Sequence, residues 1–503
     1  SVSTTELRQQ NYENDERDDV TATFTAIQQD LIDGNLAEPQ VRLDAELADA
    51  NTGEHLAHQR QTEAADLERA LAAADRVHRS GSWLDLGAEG RAERIAAFAA
   101  ALRPLEEAIA QADARLTGVP ITVTRMMAGS LADTLVAPVA RVASGACTRD
   151  MSVDGRPVWL DRIPRGPAAV LVPWNAPLGV ATTKIAHALA VGCPVILKAP
   201  EWAPASCSLF AQAAEAGLPP GVFQLVHGGP AVGSALVADP RIAVISFTGG
   251  TATGRDIAAS AAPRLVPVHL ELSGNNPAVV LDDADPTAVA AQLVPGAVKL
   301  NGQWCEAPRR VYVPKALHDD LVAAMLARMR QETMGSSLSD TTTFGPLSHR
   351  AHLNKVRSQV GALVAAGATA TAAMPAPEDN GCFFAPTVVT GAEHDGSAQE
   401  IFGPVVIVIP VADDRTAVAL ANDSQYGLAG YVFGAKESRA LEVGRRLRVG
   451  EVKINGTSLL NLAPDAEQSF FGLSGVGGHG SEESFRLFTG ARMTGVDDPS
   501  WPI

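Results

Sequence analysis

Between residues 168 and 272 the chain alternates two hydrophobic patterns. AAVLV (168–172), PVILKA (194–199), VFQLV (222–226), IAVISF (242–247) and LVPVHLEL (265–272) are short, nearly unbroken apolar runs. Between them, GVATTKIAHALAV (179–191), PASCSLFAQAAEAG (204–217), PAVGSALVA (230–238) and GTATGRDIAASA (250–261) have helical spacing. Runs without polar alternation predict strands covered on both faces. Strands alternating with helices predict right-handed crossovers and a parallel α/β sheet. A second stretch repeats the theme. AVVLDDADPTAVAAQLV (278–294) reads as strand, turn and helix, and RRVYVP (309–314), PTVVTG (386–391), PVVIVIPV (404–411) and VKIN (452–455) as further strands. From 62 to 116 apolar residues recur at three- and four-residue steps, so that region is expected to be helical. Residues 151–166 break the pattern: Asp154-Gly155 is a hairpin turn signal between short extended runs. The tail TGARMTGVDDPSWPI reads as irregular or edge-like.

Composition narrows the class. The chain has 503 residues, enough for two or three packed units. It is 46% hydrophobic and 19% charged, the balance of a globular protein. Asp and Glu number 57 against 40 Lys and Arg, a formal charge of −17. Such a surface repels phosphate backbones and anionic bilayers, so neither nucleic acid nor membrane is an expected partner. Cys147, Cys193, Cys207, Cys305 and Cys382 are odd in number and widely spaced. That pattern predicts free thiols in a reducing compartment and no structural metal site. The opening residues SVSTTELRQQNYENDERDD have no apolar stretch of signal-peptide type, and a cytoplasmic location is expected.

Ligands of a parallel sheet bind beyond the carboxyl ends of its strands, so the loops there carry the candidates. PWNAP (173–177) holds Asn175 between two prolines, as an oxyanion donor or as an ordinary turn residue. LKAPE (197–201) offers Lys198 and Glu201, for ribose hydroxyls or as a solvated pair. In SFTGGTATGRD (246–256), Gly249, Gly250 and Gly254 open a helix whose exposed N–H groups suit a pyrophosphate; a plain strand–helix turn reads the same way. HLELSGNNP (269–277) places Glu271 at a strand end, where desolvation is expected to raise its pKa toward that of a general base; a structural Glu bonded to turn amides is the alternative. NGQWCEAPRR (301–310) carries Cys305, either a packed thiol or a nucleophile. EIFGPVV (400–406) adds Glu400 and Phe402.

Taken together, PWNAP, LKAPE, FTGGTATG, ELSGNNP, GQWC, EIFGPV and the Asn-x-x-x-Tyr-Gly-Leu of 422–428 resemble the motifs of the aldehyde dehydrogenase superfamily, in its order, over roughly 50–490. The resemblance implies an α/β fold: a Rossmann-type dinucleotide-binding domain (21–150 and 167–272), an α/β catalytic domain (273–487) and a small β oligomerisation element (151–166 and 488–503), after an N-terminal arm (1–20). It implies NAD, with NADP possible, a small-molecule aldehyde as substrate, and a homodimer or homotetramer. By the same resemblance Cys305 adds to the aldehyde, Asn175 holds the oxyanion and Glu271 activates the water that hydrolyses the thioester. Lys198 and Glu201 would take the adenosine ribose, Trp174, Gly249, Gly250 and Gly254 the pyrophosphate, and Glu400 and Phe402 the nicotinamide end. Ala176, Gly179, Val180 and Thr183, where relatives carry bulky groups, imply a roomy tunnel for a bulky or aromatic aldehyde, with Trp304 narrowing it.

The chain also departs from the pattern. Asn275 and Gly250 stand where Lys and Ser are usual, FFGLSG (470–475) is a shortened C-terminal motif, and Glu306 follows the nucleophile directly. A scaffold of the same fold without activity, and a coenzyme A-acylating enzyme, are the rival expectations.

Overall fold

The computed structural model describes residues 28–500 apart from 378–379, 395–397, 461 and 464–465. The arm expected at 1–20 lies outside the described residues.

The five apolar runs form strands Ala168–Leu171, Val195–Lys198, Phe223–Val226, Val244–Thr248 and Val268–Glu271. All five are parallel, and across the sheet the third lies beside the second, then the first, fourth and fifth. The chain therefore winds outward from Ala168–Leu171 in both directions. The loops after Leu171 and Thr248 leave neighbouring strands toward opposite sides, and a crevice opens between them at the carboxyl ends. Pro177 starts the helix Pro177–Val191, where a missing N–H costs nothing, and most of its side chains are buried. It packs against helices Gly87–Leu102 and Ile121–Ala143. The helical reading of 62–116 corresponds to helices Ala64–Ser80, Gly87–Leu102 and Glu106–Thr117.

The second sheet runs Thr369–Ala372, Thr387–Thr390, Val405–Val411, Pro308–Pro314, Asn276–Val280, Ala429–Phe433, Glu451–Ile454. Only Thr369–Ala372 is antiparallel to its neighbour. The connecting helix Pro286–Val298 is capped by Asp285, whose carboxylate accepts from the Ala288 N–H.

Asp154 (φ 50°) and Gly155 (φ 75°) make the expected tight turn, and Thr148–Asp150 pairs antiparallel with Val158–Pro164. Of the two expectations for the tail, irregular or edge-like, the second holds: Thr489–Gly495 is a regular edge strand paired along the whole of Val158–Pro164. Its partner supplies the order that its own composition does not announce.

Two elements of the first sheet carry no periodic signal. Asp30–Ile32 pairs antiparallel with the Phe223–Val226 edge, and Gly475–Val476 pairs antiparallel with Val268–Glu271. The second of these falls within 273–487. Helix Ser481–Phe488 then packs on Pro177–Val191, and Phe485 and Phe488 join the same apolar core. The chain thus returns to the first sheet before residue 487, and two-residue strands are too short for any period to reveal that. Among the described residues no helix is long and apolar enough to cross a membrane.

Candidate active site

Cys305 lies on a loop held in a sparsely populated backbone conformation. Leu300 (φ 49°), Asn301 (φ 57°) and Gly302 (φ 77°) are successive left-handed residues. A Cβ at Gly302 would fall 2.2 Å from the Pro404 nitrogen, so only glycine fits. Side chains from both sheets pin the loop. Asn301 Nδ2 donates to the Gly118 and Pro346 carbonyls at 2.6 and 2.8 Å. Arg309 Nη2 donates to Gly302 and Trp304 oxygens at 2.6 and 3.0 Å, and Asn276 Nδ2 donates to the Cys305 oxygen at 2.8 Å. Asn175 Nδ2 reaches in from the first sheet and donates to the Gln303 oxygen at 2.9 Å. Gly274 is also sterically required, because its Cβ would stand 2.5 Å from the Cys305 carbonyl oxygen.

Two cavities converge on this loop. One, of about 390 Å³, is walled by Trp174, Gly249, Gly250, Trp202, Glu400 and Phe402 among others. The other, of about 610 Å³, is walled by Met127, Ala176, Gly179, Thr183, Trp304, Leu459 and His479 among others. Asn175, Val180, Glu271 and Cys305 belong to both walls.

The partly exposed Cys305 Sγ donates to Glu271 Oε1 at 3.5 Å. Burial, and then the charges of Glu271, Glu306 and Glu400, push the thiol well above its ordinary value. Glu306 accepts from Gln468 Nε2 at 3.0 Å, and it still adds to the field on the sulfur. The expected rise in the Glu271 pKa is overturned. Burial does push it up, but His479, with His269 and Lys184 behind it, outweighs burial and the net shift is down. Glu400 goes the other way, raised by burial to about 7 against the pull of Arg309.

The structure brings Trp174, Asn175, Gly249, Gly250, Glu271, Cys305, Glu400 and Phe402 into the first wall, and Ala176, Gly179, Val180, Thr183 and Trp304 into the second. Lys198 and Glu201 stand outside both lining sets, paired at 2.9 Å where strand Val195–Lys198 ends. Gly254 lies under the turn; its Cβ would meet Leu272 Cδ2 at 2.3 Å, so it sets the approach of helix Thr251–Ala261 to the sheet. Several lining residues were not legible, among them four that carry rings or charge. Trp202 and His349 stack with centroids 4.0 Å apart, and His352 and Lys355 sit one turn further along helix Arg350–Ala365. The i, i+3 spacing of His352 and Lys355 was the available signal, and it is common on solvated helices. Lys184 and His479 are the corresponding omissions on the second wall.

Two wound α/β sheets with a thiol and a carboxylate at the junction of two cavities define a class: enzymes that form a covalent bond to a carbonyl carbon beside a nucleotide. The sequence model described as the aldehyde dehydrogenase family matches residues 39–494, and the chain belongs to that family. It is an NAD-dependent oxidoreductase of aldehydes. Geranial dehydrogenase of Castellaniella defragrans is 32% identical over 465 residues, covering 91% of this chain and 96% of its own. The 3-succinoylsemialdehyde-pyridine dehydrogenase of a Pseudomonas species is 37% identical over 310 residues, 60% of this chain and 65% of its own. The crystal structure of betaine aldehyde dehydrogenase from Staphylococcus aureus with NAD+ superposes with a TM-score of 0.87 at 29% identity, covering 93% of this chain and 94% of that one.

Proposed function

We propose that Cys305 is the nucleophile of this aldehyde oxidation, Asn175 its oxyanion donor and Glu271 its base. The observation that carries the assignment is the shared wall: the residues common to both cavities include those three. An aldehyde entering one cavity and a dinucleotide in the other can meet there and nowhere else in the described site.

The residues of the first cavity fit a dinucleotide. Gly250 opens an eleven-residue helix and a Cβ there would meet nothing within 4 Å, which leaves its N–H groups open to a pyrophosphate. Trp174 and Phe402 offer flat apolar faces, and Glu400 an acceptor for ribose hydroxyls. Lys198 and Glu201, paired at a strand end, would take the second ribose, and the Glu201 carboxylate would repel a phosphate there, which favours NAD over NADP. When bound, the nicotinamide accepts the hydride from the tetrahedral carbon.

The thiol is protonated at rest, so its proton needs an acceptor, and Glu271 Oε1 stands in reach. Attack by sulfur makes the aldehyde carbon tetrahedral and places charge on oxygen. One Asn175 amide hydrogen holds the Gln303 carbonyl and the other is available to that oxygen. Loss of hydride leaves a thioester on Cys305. After the proton taken from the thiol has passed from Glu271 to solvent, Glu271 takes a proton from water as it attacks the acyl carbon; the C–S bond breaks, the thiolate recovers that proton from Glu271, and the acid leaves. The presence of this base favours hydrolysis over transfer to coenzyme A.

The second cavity suits a bulky, apolar or aromatic aldehyde. Its lining of Ala176, Gly179, Val180 and Thr183 is small, and Leu459 and Trp304 add apolar surface. Two relatives named for geranial and for a pyridine semialdehyde support this reading. The three-stranded ribbon, with exposed Trp159, Met493 and Val496, supports a homo-oligomer, and the free cysteines fit the cytoplasm.

Intact-mass analysis of Glu271→Gln incubated with NAD and an aromatic aldehyde tests the assignment. An acyl adduct on Cys305 is expected, slow to form because the thiol has lost its proton acceptor and persistent because the attacking water has lost its base; turnover with that thiol unmodified refutes it.

A further inference from the structure

His479 has no counterpart in the reading of the loops, yet the fold aims it at the reacting groups. Gly475 stands opposite Glu271 in the antiparallel pair at the sheet edge. Gly478 and His479 then pair with Gln468 and Ser469, and His269 donates its Nε2–H to the Gly478 oxygen at 2.9 Å. This clamp leaves His479 Nε2 3.5 Å from Glu271 Oε1, and the same oxygen lies 3.5 Å from Cys305 Sγ. One carboxylate oxygen is thus held between an imidazole and the thiol, and the imidazole also lines the larger cavity.

We propose that His479 is a positioning residue for Glu271: it fixes the carboxylate against the thiol and, by losing its own proton, releases Glu271 to act as a base. The proposal rests on the reading of Glu271 as that base. The titratable groups around the imidazole are Glu271 from the strand, Glu306 from the Cys305 loop, Lys184 from helix Pro177–Val191 and the neighbouring His269, which burial keeps neutral; the Phe470 ring packs edge-on at 5.0 Å. Burial pushes His479 down, but Glu271 and Glu306 outweigh it and the net shift is up. The downward shift of Glu271 is the same ion pair seen from its other member. With His479 protonated, Glu271 is a weak proton acceptor. As pH rises through the elevated histidine value the positive charge is lost, Glu271 becomes more basic, and thioester hydrolysis accelerates.

The full-length enzyme with NAD and an aldehyde tests this through rapid-mixing and steady-state kinetics. In the wild type, kcat is expected to rise with pH through an ionisation above the ordinary histidine value of 6.5. In His479→Gln that ionisation disappears. In His479→Ala the steady-state rate falls about tenfold or more while a burst of NADH survives, and added imidazole restores turnover in proportion to its free base. Should His479→Ala not fold, His479→Gln carries the test alone. A His479→Gln profile that superimposes on the wild type, or a folded His479→Ala that imidazole does not restore, overturns the proposal. If Glu271→Gln keeps the full steady-state rate, it is the reading of Glu271 that fails, so the two failures are distinct.

Discussion

The two cavities that meet at Cys305 are walled in different ways. The side proposed for the cofactor draws on the turns after Leu171, Thr248 and Glu271, and is closed by Trp202, helix Arg350–Ala365 and the Glu400–Phe402 loop. The aldehyde side is built of side chains on helix faces, Met127, Thr134 and Pro138 from one helix and Gly179, Val180 and Thr183 from another, closed by the returning segment at His479–Ser484. A wall of turns can change little without losing the sheet beneath it. A wall of side chains can change one residue at a time. On the proposed reading, the first sets the reaction and the second sets which aldehyde enters.

Three substitutions break or sharpen that contrast. Cys305→Ala removes the point common to both sides; aldehyde-dependent NADH formation is expected to fall on the order of 10⁴-fold or more, while NAD still quenches the fluorescence of Trp174 and Trp202 in the other wall. Retention of more than a hundredth of the activity would detach the two cavities from that sulfur. Thr183→Phe acts on the aldehyde side alone. It should cut kcat/KM for benzaldehyde-type substrates about tenfold, spare acetaldehyde, and leave the KM for NAD unchanged. Equal losses for large and small aldehydes would mean that Thr183 does not bound the tunnel. Glu201→Gln acts on the cofactor side alone and has the smallest effect. The ratio of kcat/KM for NAD to that for NADP should fall about tenfold or less, because a partly exposed charge is lost while Lys198 remains. Altered aldehyde selectivity in this variant would show that the walls are not independent.

The same contrast explains what could be read from sequence. The strands after 168 were legible because a strand covered on both faces must be apolar throughout, and only a few local residues decide that. Asp154-Gly155 was legible because a left-handed turn demands such residues whatever surrounds it. The short strands Asp30–Ile32 and Gly475–Val476 were not, since their order comes from the neighbours they pair with. The Cys305 loop was visible as a motif, but its left-handed path through Leu300 and Asn301 was not, because the carbonyls that take the Asn301 amide, Gly118 and Pro346, lie far off in the chain. The pKa of Glu271 shows the limit most clearly. Its own strand predicts desolvation and a rise, and desolvation is present; His479, folded back from near the C-terminus, reverses the outcome.

By itself, then, the order of residues determined the parallel strands, the tight turns and the loops that carry Asn175, Glu271 and Cys305, because these follow from side-chain chemistry and neighbours along the chain. Only the tertiary structure decided the two cavities, the pinned cysteine loop and the charge state of the base, because electrostatic and packing energies depend on distance in space, and the chain must fold before those distances exist.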